Sequence, residues 1–153
     1  MQHRTIEALA ELLSHPNQRV RQEAQFALVE RGAAGEAQLD SAARSSKNLF
    51  ARLHGIWGLG QIARRNGRPQ PLLIELLSDP QPEVRAQAAK VLGDTPSDTS
   101  LHALIGRLGD QAPRVRFFAA IALGNLGNPQ TVEPLLAMLE ATQETDPYLR
   151  HAA

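Results

Sequence analysis

Val84-Arg85-Ala86-Gln87-Ala88-Ala89-Lys90-Val91-Leu92 decides the fold, because its pattern returns along the chain. An apolar residue, Arg, two variable positions, a small residue, three more and then Leu recur as Val20-Arg21 with Ala24 and Leu28, and as Val115-Arg116 with Ala119 and Leu123. Looser copies are Ala51-Arg52 with Gly55 and Leu59, and Leu149-Arg150 with Ala153. The arginines lie 31, 33, 31 and 34 residues apart, a period that holds two helices and two turns.

Within each unit the apolar residues recur at helical spacing rather than alternating. Ile6, Leu9, Ala10 and Leu13 form one such stripe, and Leu101, Leu104, Ile105 and Leu108 another, each of which needs a neighbouring helix to cover it. Turn signals separate the paired helices: His15-Pro16-Asn17, Ser78-Asp79-Pro80, Gly109-Asp110 and Thr145-Asp146-Pro147. Others separate the repeats, namely Gly93-Asp94 with Pro96 and Gly127-Asn128-Pro129, where Gly accepts a left-handed cap and Pro cannot prolong the helix. The pattern predicts one all-α domain over 1–153, with repeats at about 5–32, 33–68, 69–96, 98–128 and 130–153.

Composition agrees with close helix packing. The 153 residues are 42% hydrophobic but only 4% aromatic, which suits helices on helices better than a β-sandwich. Sixteen Lys plus Arg balance sixteen Asp plus Glu, so no net field gathers nucleic acid or an anionic membrane. The absence of Cys removes disulfides and thiolate sites and leaves the compartment open. No apolar stretch approaches the roughly 20 residues that span a bilayer, so no membrane insertion is expected. The last residues, Leu149 to Ala153, read as the first turn of a new helix, so a piece of a larger protein is expected, and an uncapped end would favour an artificial homodimer.

The Asp-Pro-x-x-x-Val-Arg turn and its repeats resemble the HEAT family, and within it the bacterial HEAT-like repeats of phycobilisome lyases. The resemblance implies a right-handed α-α superhelix (a HEAT/ARM-like solenoid) of antiparallel helix hairpins, four full repeats plus a truncated fifth. It also implies an inter-repeat ladder at Asp79, Arg85, Asp110 and Arg116; His15, Ser46 and Glu144 hold the matching positions without Asp, so the ladder is partial. The phrases 20–28 and 52–61 are similar, more faintly, to the helical segment of large exported bacterial proteins that join a β-propeller, called a membrane-bound dehydrogenase, to HEAT repeats and a c-type haem module. That similarity implies a periplasmic or exported setting, and a cytoplasmic one follows otherwise. No Cys-x-x-Cys-His is present, so haem chemistry would lie outside this chain.

Catalytic patterns are missing. His3, His15, His54, His102 and His151 are far apart and form no His-x-x-x-His pair, so neither metal nor cofactor is expected. His15 and His54 could each give a partner a hydrogen bond. The His-Glu dipeptides of HEAT-like iron hydroxylases do not occur, and a repeat shared with phycobilin lyases carries no activity by itself. Arg64, Arg65 and Arg68 form a basic cluster like the one by which HEAT-like DNA glycosylases hold a duplex, but a helix C-terminus favours cations without any ligand. Nucleic acid is therefore the disfavoured partner.

With Arg as position zero, the apolar stripe of each second helix runs through minus one, three, six, seven and ten. Positions one, four, five and eight then point away from it, a row that usually lines the concave side of a solenoid. On that row stand Phe26, Leu53, Trp57, Phe117 and Ile121, with Lys90. Aromatics on a solvated face are typical interface anchors, so the expected function is a non-enzymatic scaffold binding a protein or a neighbouring domain of the same polypeptide. A purely structural spacer in a large exported redox-type protein is the alternative, since helix 48–64 is apolar on several faces and could be buried all round.

Overall fold

The computed structural model describes residues 1, 3–67, 70–141 and 147–152, side chains at 147, 149 and 150 excepted. Among the described residues the regular elements are helical. They are α1 (Ile6–Leu12), α2 (Gln18–Val29), α3 (Gly32–Ser45), α4 (Leu49–Asn66), α5 (Pro71–Glu75), α6 (Pro82–Asp94), α7 (Leu101–Arg107), α8 (Pro113–Leu126), α9 (Val132–Ala141) and α10 (Pro147–Ala152). Residues 1–72 and 73–153 form two compact units.

In the first unit α1 pairs with α2 and α3 with α4, and α4 also packs against α2. Local chemistry sets the starts. Thr5 Oγ1 accepts from the Ala8 N–H, Asn17 Oδ1 from Arg19 and Asn48 Oδ1 from Ala51, so α1, α2 and α4 each start on a side-chain cap. Leu9, Leu13, Leu28, Leu39, Ile56 and Leu59 are buried between the helices, each stabilising the unit by roughly 1.5–3 kcal/mol before entropy is counted. Gly55 lets α4 lie against α3: a Cβ there would fall 2.6 Å from the Leu39 carbonyl oxygen and 2.7 Å from the Ala43 nitrogen.

The second unit is built on α6 against α8, with α7 covering α8. Pro82 and Pro113 occupy the first helical turn, where a missing N–H costs nothing. The carboxylates of Asp79 and Asp110 accept from the Gln81 and Ala112 N–H groups, 2.9 Å each, and close the turn ahead of the proline. Val84, Ala88, Leu104, Val115, Ala119 and Leu123 are fully buried. Gly127, at φ +62°, ends α8 in the left-handed cap the sequence implies. Gly93 behaves differently from its sequence reading as punctuation. It lies inside α6, and a Cβ on it would meet Ala122 Cα at 2.8 Å, so it serves the α6–α8 approach. The turn residues Thr145 and Asp146 and the last residue, Ala153, lie outside the described residues.

Candidate functional site

The repeated arginine is a structural clamp. Nη1 of Arg21 donates to the carbonyls of His15 and Pro16 (2.7 and 2.8 Å), Arg85 to those of Asp79 and Pro80 (2.8 and 3.2 Å), and Arg116 to those of Asp110 and Gln111 (2.8 and 3.3 Å). Each thus closes the turn that precedes its own helix. Arg52 reaches the α3 end instead, donating to the Ala43 carbonyl at 2.8 Å.

The rest of the guanidinium faces the next repeat. Nε and Nη2 of Arg85 make a bidentate pair with Asp110, 2.8 Å at both contacts, and Arg107 stands 3.7 Å from the same carboxylate. Burial works to raise the Asp110 pKa, but the Arg85 hydrogen bond, the Ala112 N–H and the two positive charges outweigh it and hold the carboxyl below its usual range. Position Glu144, the matching place beyond Arg116, lies outside the described residues.

In the first unit a histidine takes the carboxylate's place. Arg21 Nε donates to His54 Nε2 at 3.2 Å, and the other ring nitrogen donates to Gln25 Oε1 at 2.7 Å. His54 is 4% exposed and both nitrogens are used inside the protein, so it is not a surface donor for a partner. Burial, and then the Arg21 charge, push its pKa down to about 4. The folded unit resists protonation that the unfolded chain accepts near 6.5, so stability is intact above that value and falls as pH drops toward about 4. The expected loss is about 3 kcal/mol below that point, with His54→Gln flattening the acid limb of a urea-midpoint against pH curve.

The predicted interaction row divides by burial. Leu53 is only 7% exposed and is corrected from a surface to a core residue; α4 touches both α2 and α3, which closes the arc that an isolated helix would show to water. Trp57 is half-buried, its ring edge-on to His54 at 4.9 Å. Phe117 and Ile121 are half-buried, Phe117 lies edge-on to Phe118 at 5.3 Å, and Lys90 is exposed with its ammonium 5.9 Å above Phe118. Phe26 remains open at 40% exposure. Phe50, absent from the predicted row, is 54% exposed under the Arg21 guanidinium at 4.4 Å. Its place two residues before the repeat arginine was its only signal.

Phe26 stands in the wall of a cleft of about 540 Å³ shared with Val29, Glu30, Gln61, Arg64 and Arg65, and a second of about 410 Å³ continues past Phe26 and Glu30 to Met1 and Arg31. Two features that looked separate in sequence, the aromatic row and the basic cluster, therefore meet in one place. Arg65 pairs with Glu30, each keeping the other charged; Arg68 lies outside the described residues. Gln61 Oε1 is closed off from solvent without a hydrogen-bond partner. Among the described residues no group of three His, Asp or Glu could hold a metal ion, and no helix is long and apolar enough to cross a membrane.

Paired helices closed by arginine clamps, with a turn-to-arginine rung, define a helical-repeat protein. The family described as HEAT repeats matches residues 69–153, more than half of the chain, and the chain belongs to that family. Among solved structures, the complex of CpcE and CpcF of phycocyanin lyase from Nostoc sp. PCC7120 contains a chain similar to this one at 24% identity and a TM-score of 0.71, over 96% of this chain and 94% of that one. At that identity the likeness shows the fold. No curated protein matches.

Proposed function

We propose that the chain is a non-enzymatic interaction module and that its first unit receives a protein segment in the cleft beside Phe26. The observation that carries this reading is Phe26, a large apolar side chain left 40% exposed in the wall of a cleft that Val29, Glu30, Gln61, Arg64 and Arg65 also line. HEAT repeats are in general protein-interaction scaffolds, and the similar solved structure is itself of a complex of two proteins. Glu30 in the same cleft opposes a nucleic-acid phosphate.

Affinity capture from a lysate of the encoding organism, comparing the parent with Phe26→Ser, tests the reading. Phe26 is exposed enough that the variant should keep the parent's circular dichroism. A protein retained by the parent and lost at least tenfold by the variant is the expected result. Equal retention by both, or by neither, would favour the structural spacer, and retention of DNA that salt abolishes would favour the arginines as a phosphate site.

A further inference from the structure

Arg21 is 7% exposed, yet among the described residues it has no carboxylate partner. Its Nη1 closes its own turn and its Nε meets the neutral ring of His54, while Nη2 makes no hydrogen bond among those residues. A guanidinium enclosed to this degree is ordinarily paired with an anion, and its counterpart Arg85 gives both Nε and Nη2 to Asp110. The Arg21 guanidinium carbon lies 4.4 Å from the centre of the Phe50 ring, so the unmatched charge sits over the first turn of α4. Ser46 holds the place from which Asp110 acts: it follows Arg21 by 25 residues, as Asp110 follows Arg85. Its backbone, at φ −61° and ψ 136°, matches that of Asp79 at φ −63° and ψ 143°. Its Oγ accepts from the Asn48 N–H at 3.2 Å, the bond that Asp110 Oδ1 makes to the Ala112 N–H at 2.9 Å. The turn ahead of α4 is therefore built as the acidic turns are, with a hydroxyl where they carry a carboxylate.

We propose that Ser46 is a phosphorylation site, and that its phosphate pairs with Arg21 Nη2 to supply in the first unit the rung that Asp110 supplies in the second. In the modification, Ser46 Oγ attacks the terminal phosphorus of a nucleoside triphosphate held by a protein kinase. The bond from that phosphorus to its bridging oxygen breaks, the nucleoside diphosphate leaves, and the hydroxyl proton passes to a base of the kinase. The ester carries a charge of about −1.5 to −2 and three acceptor oxygens. One oxygen can keep the Asn48 N–H while another meets Nη2, the edge of the guanidinium that His54 leaves open. A single guanidinium edge and one turn N–H hold free phosphate weakly, whereas the ester ties the anion beside them. Ser46 is half-buried, but Ser45, Lys47, Leu49 and Phe50 around it are exposed, which gives a kinase a segment to grip. The consequence is a charged link between the turn ahead of α4 and α2, formed only when the hydroxyl is esterified.

The full chain prepared with phosphoserine at position 46, and separately at position 45, tests the pairing by urea unfolding. Trp57 is the one tryptophan of the chain and stands in α4, so its fluorescence reports the first unit. Phosphate at 46 is expected to lower the unfolding constant at a fixed urea concentration at least about tenfold, the effect of one hydrogen bond between charged groups. Phosphate at 45, the last residue of α3, meets the negative end of that helix and should raise it instead. In an Arg21→Lys background the gain from phosphate at 46 should shrink to about threefold or less, since each background is compared with its own unmodified form and only the coupling is read. If Arg21→Lys does not fold, the contrast between positions 46 and 45 decides alone. Mass spectrometry of the chain isolated from the encoding organism, growing and starved, should find phosphate on Ser46. No stabilisation by phosphate at 46, equal stabilisation by phosphate at 45, an undiminished gain in Arg21→Lys, or Ser46 unmodified in both growth states each overturns the proposal.

Discussion

Gly55→Leu is expected to lower the melting temperature by roughly 10 °C or to prevent the first unit from folding, read by circular dichroism. Atoms already fill the space a side chain would take: the first carbon alone would sit 2.6 Å from a backbone oxygen and 2.7 Å from a backbone nitrogen of α3. Backbone atoms of a packed helix do not yield as a flexible side chain does, so the cost should lie at or above the roughly 1–3 kcal/mol usual for overpacking. The roughly 1 kcal/mol by which a glycine weakens a helix interior is the smaller quantity. Gly124 in α8 supplies the contrast. A Cβ there meets nothing within 4 Å, so Gly124→Ala should stabilise by about 0.5–1 kcal/mol. Unchanged melting of Gly55→Leu would show that α3 and α4 do not approach as described.

Asp110→Ala should cost about 3 kcal/mol, seen as a lower urea midpoint. Its carboxylate is 4% exposed and holds both Nε and Nη2 of Arg85 as well as the Ala112 N–H. Removing one member of an enclosed pair strands the other, and such losses run at about 3–5 kcal/mol. Arg85 keeps its bonds to its own turn, which places the estimate at the low end. Asp110→Asn retains the cap and should lose less. Because the folded carboxyl ionises more readily than the usual 3.8, its contribution is present above that value and disappears only as pH falls below it. His54 weakens its own unit already between 6.5 and about 4. Hydrogen exchange across an acid titration should therefore open residues 1–72 before residues 73–153, and the reverse order would contradict the two assignments.

The hairpins were legible because the Val-Arg-x-x-Ala-x-x-x-Leu phrase states both the buried stripe and the period, and Asp79 and Asp110 state the turns. The cleft was legible only in pieces. Phe26 and Arg65 are distant in sequence and meet because α2 packs against α4, with Glu30, just past the end of α2, pairing with Arg65, a packing fact no wheel projection contains. The same projection put Leu53 in water by treating α4 as having one covered side, when it has two. His54 offered no sign of its role, since its partner Arg21 lies 33 residues earlier and Ser46 occupies the expected acidic position. Gly93 looked like a helix end because glycine serves close approach and capping alike, and only the presence of Ala122 opposite decides between them.

The arginine clamp also bears on how the chain acquires its structure. Its bonds to the preceding turn span five or six residues, whereas the rung from Arg85 to Asp110 spans 25. Short loops close with little entropy loss and long ones with more. Each turn can thus fix its guanidinium before the neighbouring hairpin arrives, and the arriving hairpin meets a donor pair already held in place. Folding then proceeds by local closure followed by nearest-neighbour docking, a low-contact-order route that can begin at any clamp and needs no long-range nucleus.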